Sequence, residues 1–208
     1  MDTGEIIRKF CDQCVWTKIV YNEYRILYET SQKRLDLLST IANHFFHDLQ
    51  NILIEYILLS ICKLTDPAHS RGHDNLTVKY VLELVDPETK KQLGLDDLSN
   101  RIHGFRKYVQ DARHKLIAHL DREATLSQGS LGAFPQGAIE QFWSDLQEFI
   151  DRIHNRYCGG VFPIDAVNMY NAQDLVETLK KSVHYDDYFS DKLKLKFGER
   201  ERMRFKDA

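Results

Sequence analysis

The sequence contains few residues that break secondary structure: only four prolines and ten glycines occur among 208 residues. Apolar residues recur every three or four positions in the long stretches between them, and no run alternates with a period of two. This pattern predicts an all-α fold, an up-and-down helical bundle with long helices. We expect a single domain over residues 1–190, followed by a basic tail over residues 191–208.

Cysteine is also scarce, since the chain has four, which is too few for a disulfide framework at this length. Cys11 and Cys14 form one C-x-x-C pair, but no second pair follows at the spacing of a zinc site. Two small side chains one turn apart on a helix are a simpler interpretation of this pair than structural zinc.

The sequence has no surplus of positive charge. The formal net charge of -3 argues against a surface that binds nucleic acid through a general electrostatic attraction. Any contact with RNA must therefore be local. Long hydrophobic runs are missing too, because the longest, residues 52–64, is interrupted by Glu55, Ser60 and Lys63. No leader pattern precedes it, so we expect a cytoplasmic protein that makes no membrane contact.

Periodicity and capping residues locate the helices. Thr77 and Asp86 are good N-caps, Pro87 suits a first helical position, and the turn Thr65-Asp66-Pro67 should end a long helix. We expect helices at about residues 5–29, 31–64, 77–84, 96–120, 138–157 and 171–189, with a short one from 87 and a surface loop over 122–137.

The predicted helix over residues 96–120 leads into the most informative segment, Arg-His-Lys-Leu-Ile-Ala-His-Leu-Asp at residues 113–121. Arg113 is a permanent cation whose planar fork matches two phosphate oxygens, and His119 can exchange a proton near neutral pH. Such a pair suits chemistry on a phosphodiester. The structural alternative is an ion pair for Arg113 and a helix-end position for His119.

One copy of this segment would make a poor site. On an ideal helix, Arg113 and His119 lie about 9 Å apart along the axis, on opposite sides of the apolar face. His114 lies about 100° round from Arg113, which suggests a supporting role. Two copies that cross at a symmetric interface would bring two arginines and two histidines into one groove.

The segment resembles the signature of the HEPN superfamily, in which Arg, a polar residue and a later His mark helical domains that cleave or bind RNA. Arg113, His114 and His119 occupy these positions. The resemblance extends to three further segments: His44-Phe45-Phe46, the predicted helix end at residues 64–67, and the last part of the signature, Lys115 to Asp121. These segments are similar to the abortive-infection U-type branch of the superfamily. Asp121, a further supporting residue, stands where HepT toxins carry a tyrosine, so nucleotide transfer to that position is not expected.

The resemblance implies a homodimeric, metal-independent endoribonuclease of the phage-defence or toxin type, with Arg113 and His119 as the catalytic pair and no cofactor. The alternative is a non-catalytic module that binds RNA, a nucleotide or a protein partner. An antitoxin is a further possible partner. The basic tail from Lys192 to Lys206 could bind an antitoxin or RNA phosphates, or it could simply be solvated.

A polar stripe at steps of three and four follows one side of the predicted second helix: His44, His47, Asp48, Asn51 and Glu55. If this side faces the signature, Asp48 or Glu55 could hold Arg113, and Asn51 could orient His119. Two alternatives stay open. Residues four apart in the stripe could chelate a metal, or the stripe could simply be solvated.

Overall fold

A computed structural model describes residues 2–70, 72–112, 135–165 and 171–193, with most of their side chains. Its helices are α1 (Thr3–Tyr28), α2 (Gln32–Leu64), α3 (Val78–Glu83), α4 (Pro87–Leu93), α5 (Leu95–Ala112), α6 (Ala138–Tyr157) and α7 (Ala172–Leu193). One two-residue hairpin, β1 (His69–Ser70) and β2 (His73–Asp74), lies between α2 and α3. The prediction of an all-α fold is confirmed.

The helix boundaries follow the capping residues closely. The Thr77 hydroxyl accepts a hydrogen bond from the Tyr80 amide at 3.1 Å and begins α3, and the Asp86 carboxylate accepts one from the Thr89 amide at 2.9 Å and begins α4. Gly94 ends α4 with a φ of 58°, a left-handed conformation that glycine adopts without steric cost. These caps confirm the predicted starts of both short helices.

Two local features differ from the predictions. The second helix is interrupted at Ala42, whose φ and ψ are -158° and 74°, so α2 contains a kink that the apolar pattern did not show. The polar loop after α2 contains the short hairpin, where the His69 imidazole lies 2.8 Å from the carboxylates of both Asp74 and Glu83. These hydrogen bonds, with Asp74 the larger effect, raise the pKa of His69.

The chain divides into two compact units, Met1–Asn22 with Gln50–Val167 and Glu23–Leu49 with Asn168–Ala208. In the first unit, α5 packs on α6, and the Phe105 and Phe142 rings lie 5.0 Å apart. Leu98, Ile102 and Val109 are fully buried or nearly so. This is the face that the spacing on the fifth helix predicted to be core.

The buried face of α1 includes the C-x-x-C pair. Ile7, Phe10, Cys11 and Cys14 are completely buried, whereas Ile6 and Val15 are only partly covered. Burial raises the pKa of the Cys11 thiol to about 12 and that of Cys14 well above its ordinary value. The C-x-x-C pair therefore consists of protonated thiols that act as small core side chains.

In the second unit, polar bonds join the end of α1 to its neighbours. The Tyr28 hydroxyl donates to the Phe46 carbonyl at 2.8 Å, and buried Arg34 donates to the Ile26 carbonyl at 2.6 Å. The amide of Ala172, at the start of α7, donates to the Glu23 carboxylate at 2.6 Å. These bonds satisfy groups that burial would otherwise leave unpaired.

By length and composition alone, α2 could cross a membrane, and only 33% of its most apolar stretch is buried within the protein. This is weak evidence, because a core helix of a soluble protein passes the same test.

Candidate functional site

The predicted catalytic and supporting residues of the signature, Arg113, His114, His119 and Asp121, lie outside the described residues. The structure does describe the helix that precedes them. Ala112 is the last described residue of α5, and the signature follows it directly in the sequence. The contacts that hold α5 in place are therefore what the structure shows of the chain directly before the signature.

Arg106 anchors α5 to the end of α2. Its guanidinium lies 2.7 Å from the Asp66 carboxylate and donates a second hydrogen bond of 2.6 Å to the Thr65 carbonyl. Both charged side chains are about four-fifths covered, with exposures of 20% and 21%. Because Arg106 holds a carboxylate and a carbonyl together, it fixes both the position and the rotation of α5 seven residues before Arg113.

A second ion pair joins α5 to α6. Arg101 Nε donates to Asp145 Oδ1 at 2.9 Å, and Gln141 Nε2 donates to the same oxygen at 3.1 Å. The Asp145 carboxylate is buried, so these two donors replace the water that it loses on folding. Helix α5 is thus held by polar contacts on two sides and by its apolar face.

His103, on α5, is a titratable group that was not among the predicted site residues. Its Nδ1 lies 2.7 Å from the Ser99 carbonyl, and its Nε2 is buried with no hydrogen-bond partner in the described part of the chain. Burial lowers the pKa of His103, and the nearby cations Lys79 and Arg106 lower it further. The imidazole is therefore neutral near pH 7, with the Nδ1 proton donated to Ser99 and a free lone pair on Nε2.

The polar stripe of α2 is exposed. Asp48, in the second unit, lies 3.6 Å from the His47 imidazole, and both side chains are largely open to solvent. Asn51, in the first unit, is also exposed. Their predicted roles beside Arg113 and His119 stay predictions, because the signature lies outside the described residues.

Metal chelation was one alternative for this stripe. Over residues 2–70, 72–112, 135–165 and 171–193, no group of three or more His, Cys, Asp or Glu side chains is arranged to hold a metal ion.

Sequence reasoning missed Arg106 and His103 for different reasons. Arg106 meets its partners across 40 or more residues of sequence, and a single sequence carries no sign of such a pairing. His103 follows Ser99 by four residues, a spacing that allows a bond back to the preceding turn, and this signal was available.

The family model HEPN_AbiU2, described as AbiU2, matches residues 2–178. The match includes α1 to α6, the signature segment and the start of α7. No curated protein matches the chain, and no solved structure does.

Proposed function

We propose that this chain, which belongs to the HEPN AbiU2 family and is an abortive-infection HEPN module, cleaves RNA through Arg113 and His119. The observation that carries the proposal is the signature itself. A guanidinium and an imidazole six residues apart follow directly on an anchored helix, within the part of the chain that the family model covers.

The proposed reaction uses the 2′-hydroxyl of RNA as its nucleophile. One His119 removes the 2′-hydroxyl proton as the oxygen attacks the neighbouring phosphorus, and a second imidazole protonates the 5′ oxygen as its bond to phosphorus breaks. Arg113 stabilises the negative charge on the phosphorane. The products are a 2′,3′-cyclic phosphate and a free 5′-hydroxyl. DNA lacks the nucleophile, so it should not be cut.

The contacts of α5 support this chemistry. Acid–base catalysis needs groups held to within a fraction of an ångström, and sites on anchored helices meet this need better than sites on loops. Arg106 ties α5 to Asp66 and Thr65, and Arg101 ties it to Asp145. The segment that carries the signature therefore starts from a fixed point.

We further propose that two copies build the groove, because the acid and the base are then the two His119 side chains. Each unit supports a second copy by itself, because Phe45 in the second unit and Ile52 in the first are both more than half exposed. Large apolar side chains left in water are common at protein–protein contacts.

The test is to incubate the protein with transfer RNA and total RNA in the presence of EDTA and to separate the products on a gel. His119→Ala should lose about 10²- to 10⁴-fold of the cleavage rate, the usual contribution of a general acid or base. His184→Ala is the matched control, because His184 is an exposed histidine on α7. Intact RNA with the parent protein would contradict catalysis and favour a binding module.

Mixing the parent protein with His119→Ala tests the shared groove. If each active site needs both copies of His119, activity after subunit exchange should follow the square of the parent fraction. Activity proportional to the parent fraction itself would show that each copy acts alone.

A further inference from the structure

A cleft of about 610 Å³ lies between α1, the last turns of α2 and the segment that leads into α3, all in the first unit. We call it the Trp16 cleft; its lining includes Trp16 and Asp12 of α1 and Tyr56, Ser60 and Lys63 of α2. Its volume falls in the range of about 300 to 1,000 Å³ that is usual for small-molecule sites.

An exposed aromatic pair forms one side of the cleft. The Trp16 side chain is 57% exposed, and its Nε1 donates a hydrogen bond of 2.7 Å to the Tyr56 hydroxyl. This bond uses the polar edge of the indole and limits its rotation, while the ring stays accessible. A fixed, accessible indole is a surface on which a flat ring can stack.

Ser60 is the second sign of a ligand. The residue is only 7% exposed and lines the cleft, yet its hydroxyl has no hydrogen-bond partner among the described residues. Among the described residues, the buried side-chain polar atoms without a partner are His103 Nε2 and Trp143 Nε1, so the Ser60 hydroxyl oxygen still reaches water in the cleft and is available to a ligand that replaces that water. Tyr56, Ser60 and Lys63 are spaced by four and three residues and so share one side of α2.

Most of the carboxylates that line the cleft are already paired. Asp66 lies 2.7 Å from the Arg106 guanidinium, and Asp74 lies 2.8 Å from the His69 imidazole. The cleft is therefore less acidic than its three aspartates suggest. The charged groups that remain without an ion pair are of both signs.

Two charged side chains of the lining remain available. Among the described residues, no carboxylate lies within 4 Å of the Lys63 ammonium, and Asp12 is exposed with no ion pair to a described cation. One free cation and one free anion beside a stacking surface fit a ligand with an anionic group, N–H donors and a flat ring. A basic peptide side chain would be repelled by Lys63, and a purely apolar one would leave Ser60 unpaired.

We infer that the Trp16 cleft binds a nucleobase together with its adjoining phosphate. The base stacks on Trp16 and donates from its edge to Asp12, the phosphate contacts Lys63, and the Ser60 hydroxyl bonds a polar atom of the ligand. A free mononucleotide and an unpaired nucleotide within RNA present the same chemistry. The inference does not depend on cleavage by Arg113 and His119, so either proposal can fail without the other.

Tryptophan fluorescence gives a direct measurement, because the chain has two tryptophans and the other, Trp143, is only 5% exposed. The full chain is titrated with AMP, GMP and UMP, with ribose 5-phosphate and with inorganic phosphate, and calorimetry repeats each titration. We expect saturable quenching by mononucleotides and none by the two ligands that lack a base. Equal binding of phosphate alone, or no calorimetric binding of any mononucleotide at millimolar concentration, would overturn the inference.

Three variants locate the site. Trp16→Ala should weaken mononucleotide binding by about tenfold or more in calorimetry, since stacking on an aromatic side chain contributes on that scale. Lys63→Ala should weaken AMP binding but leave adenosine binding almost unchanged, and Ser60→Ala should weaken both. Tyr185→Ala and Lys33→Ala are the controls, as an exposed aromatic residue on α7 and an exposed lysine on α2. Variants and controls with equal affinity would refute the assignment.

A short single-stranded RNA, titrated into the His119→Ala protein so that it stays intact, distinguishes the two sources. If the RNA binds more tightly than AMP, and if it loses affinity when Trp16→Ala is added to His119→Ala, the cleft contacts RNA. AMP binding without RNA binding identifies a free nucleotide. If Trp16→Ala changes neither, the inference is wrong, even if the parent protein cleaves RNA.

Discussion

Replacing Arg106 by methionine tests whether α5 is anchored as the structure indicates. The change keeps much of the apolar stem and removes the guanidinium that contacts Asp66 and Thr65. Exposed ion pairs contribute about 0 to 1 kcal/mol, and breaking a buried one costs about 3 to 5 kcal/mol. Because the Arg106 and Asp66 side chains are about one-fifth exposed, we expect an intermediate loss of about 2 kcal/mol.

The carbonyl of Thr65 adds to this cost. Thr65 is almost completely buried, so its oxygen loses a charged donor that water cannot easily replace. An unsatisfied buried acceptor costs about 1 kcal/mol or more, which brings the expected loss to about 3 kcal/mol. For a chain of this length, that loss corresponds to a fall in Tm of about 6 to 12 °C.

Urea unfolding followed by tryptophan fluorescence is the appropriate assay, because Trp16 and Trp143 both lie in the first unit with Arg106. A double-mutant cycle with Asp66→Asn should give a coupling of about 1 to 2 kcal/mol, since the two groups are in direct contact. Arg8→Met, at an exposed position on α1, is the control. Additive effects within about 0.5 kcal/mol, or equal losses in Arg106→Met and Arg8→Met, would refute the anchoring role.

Three other predictions concern stability. Phe149→Ala should destabilise the first unit by about 3 to 5 kcal/mol, because the ring is completely buried and would leave a cavity; urea unfolding measures this. Thr77→Ala should cost about 1 kcal/mol by removing the cap of α3, whereas Thr77→Ser should restore most of it in the same assay. The pKa of His69 is raised by Asp74 and Glu83, so its stabilising contribution should be complete below about pH 6.5 and disappear as the pH rises through the raised value. An NMR titration of the imidazole should show this raised pKa, and His69→Gln should remove that part of the pH dependence; a midpoint at or below the ordinary value would contradict it.

Local signals in the sequence were sufficient for most of the helix boundaries. Helix α6 has the limits 138–157 that were predicted for it, and Thr77 and Asp86 cap the helices that follow them. A single sequence shows these signals because caps and apolar periodicity depend only on residues within one or two helical turns. The kink at Ala42 lacks a proline or glycine, so no residue type marked it in advance.

The site was less predictable because its contacts join distant parts of the chain. Arg106 with Asp66 and Trp16 with Tyr56 are pairs about 40 residues apart, and composition or spacing cannot reveal them. The chemistry of Arg113 and His119 suggested a site, and the resemblance to a family gave them their predicted roles. The match over residues 2–178 confirms that resemblance. Their catalytic roles stay predictions.

The net charge of the chain limits how it can hold RNA. At -3, the protein cannot gain much affinity from many phosphate contacts spread over its surface, so a few positions must provide the binding. The proposed positions are Arg113 in the signature and Lys63 in the Trp16 cleft, together with stacking on Trp16. Stacking is not an interaction between charges, so salt does not screen it. A base inside a duplex has no free face for the indole, so an RNA held in this way must offer an unpaired nucleotide. The protein would then select single-stranded segments without reading their sequence.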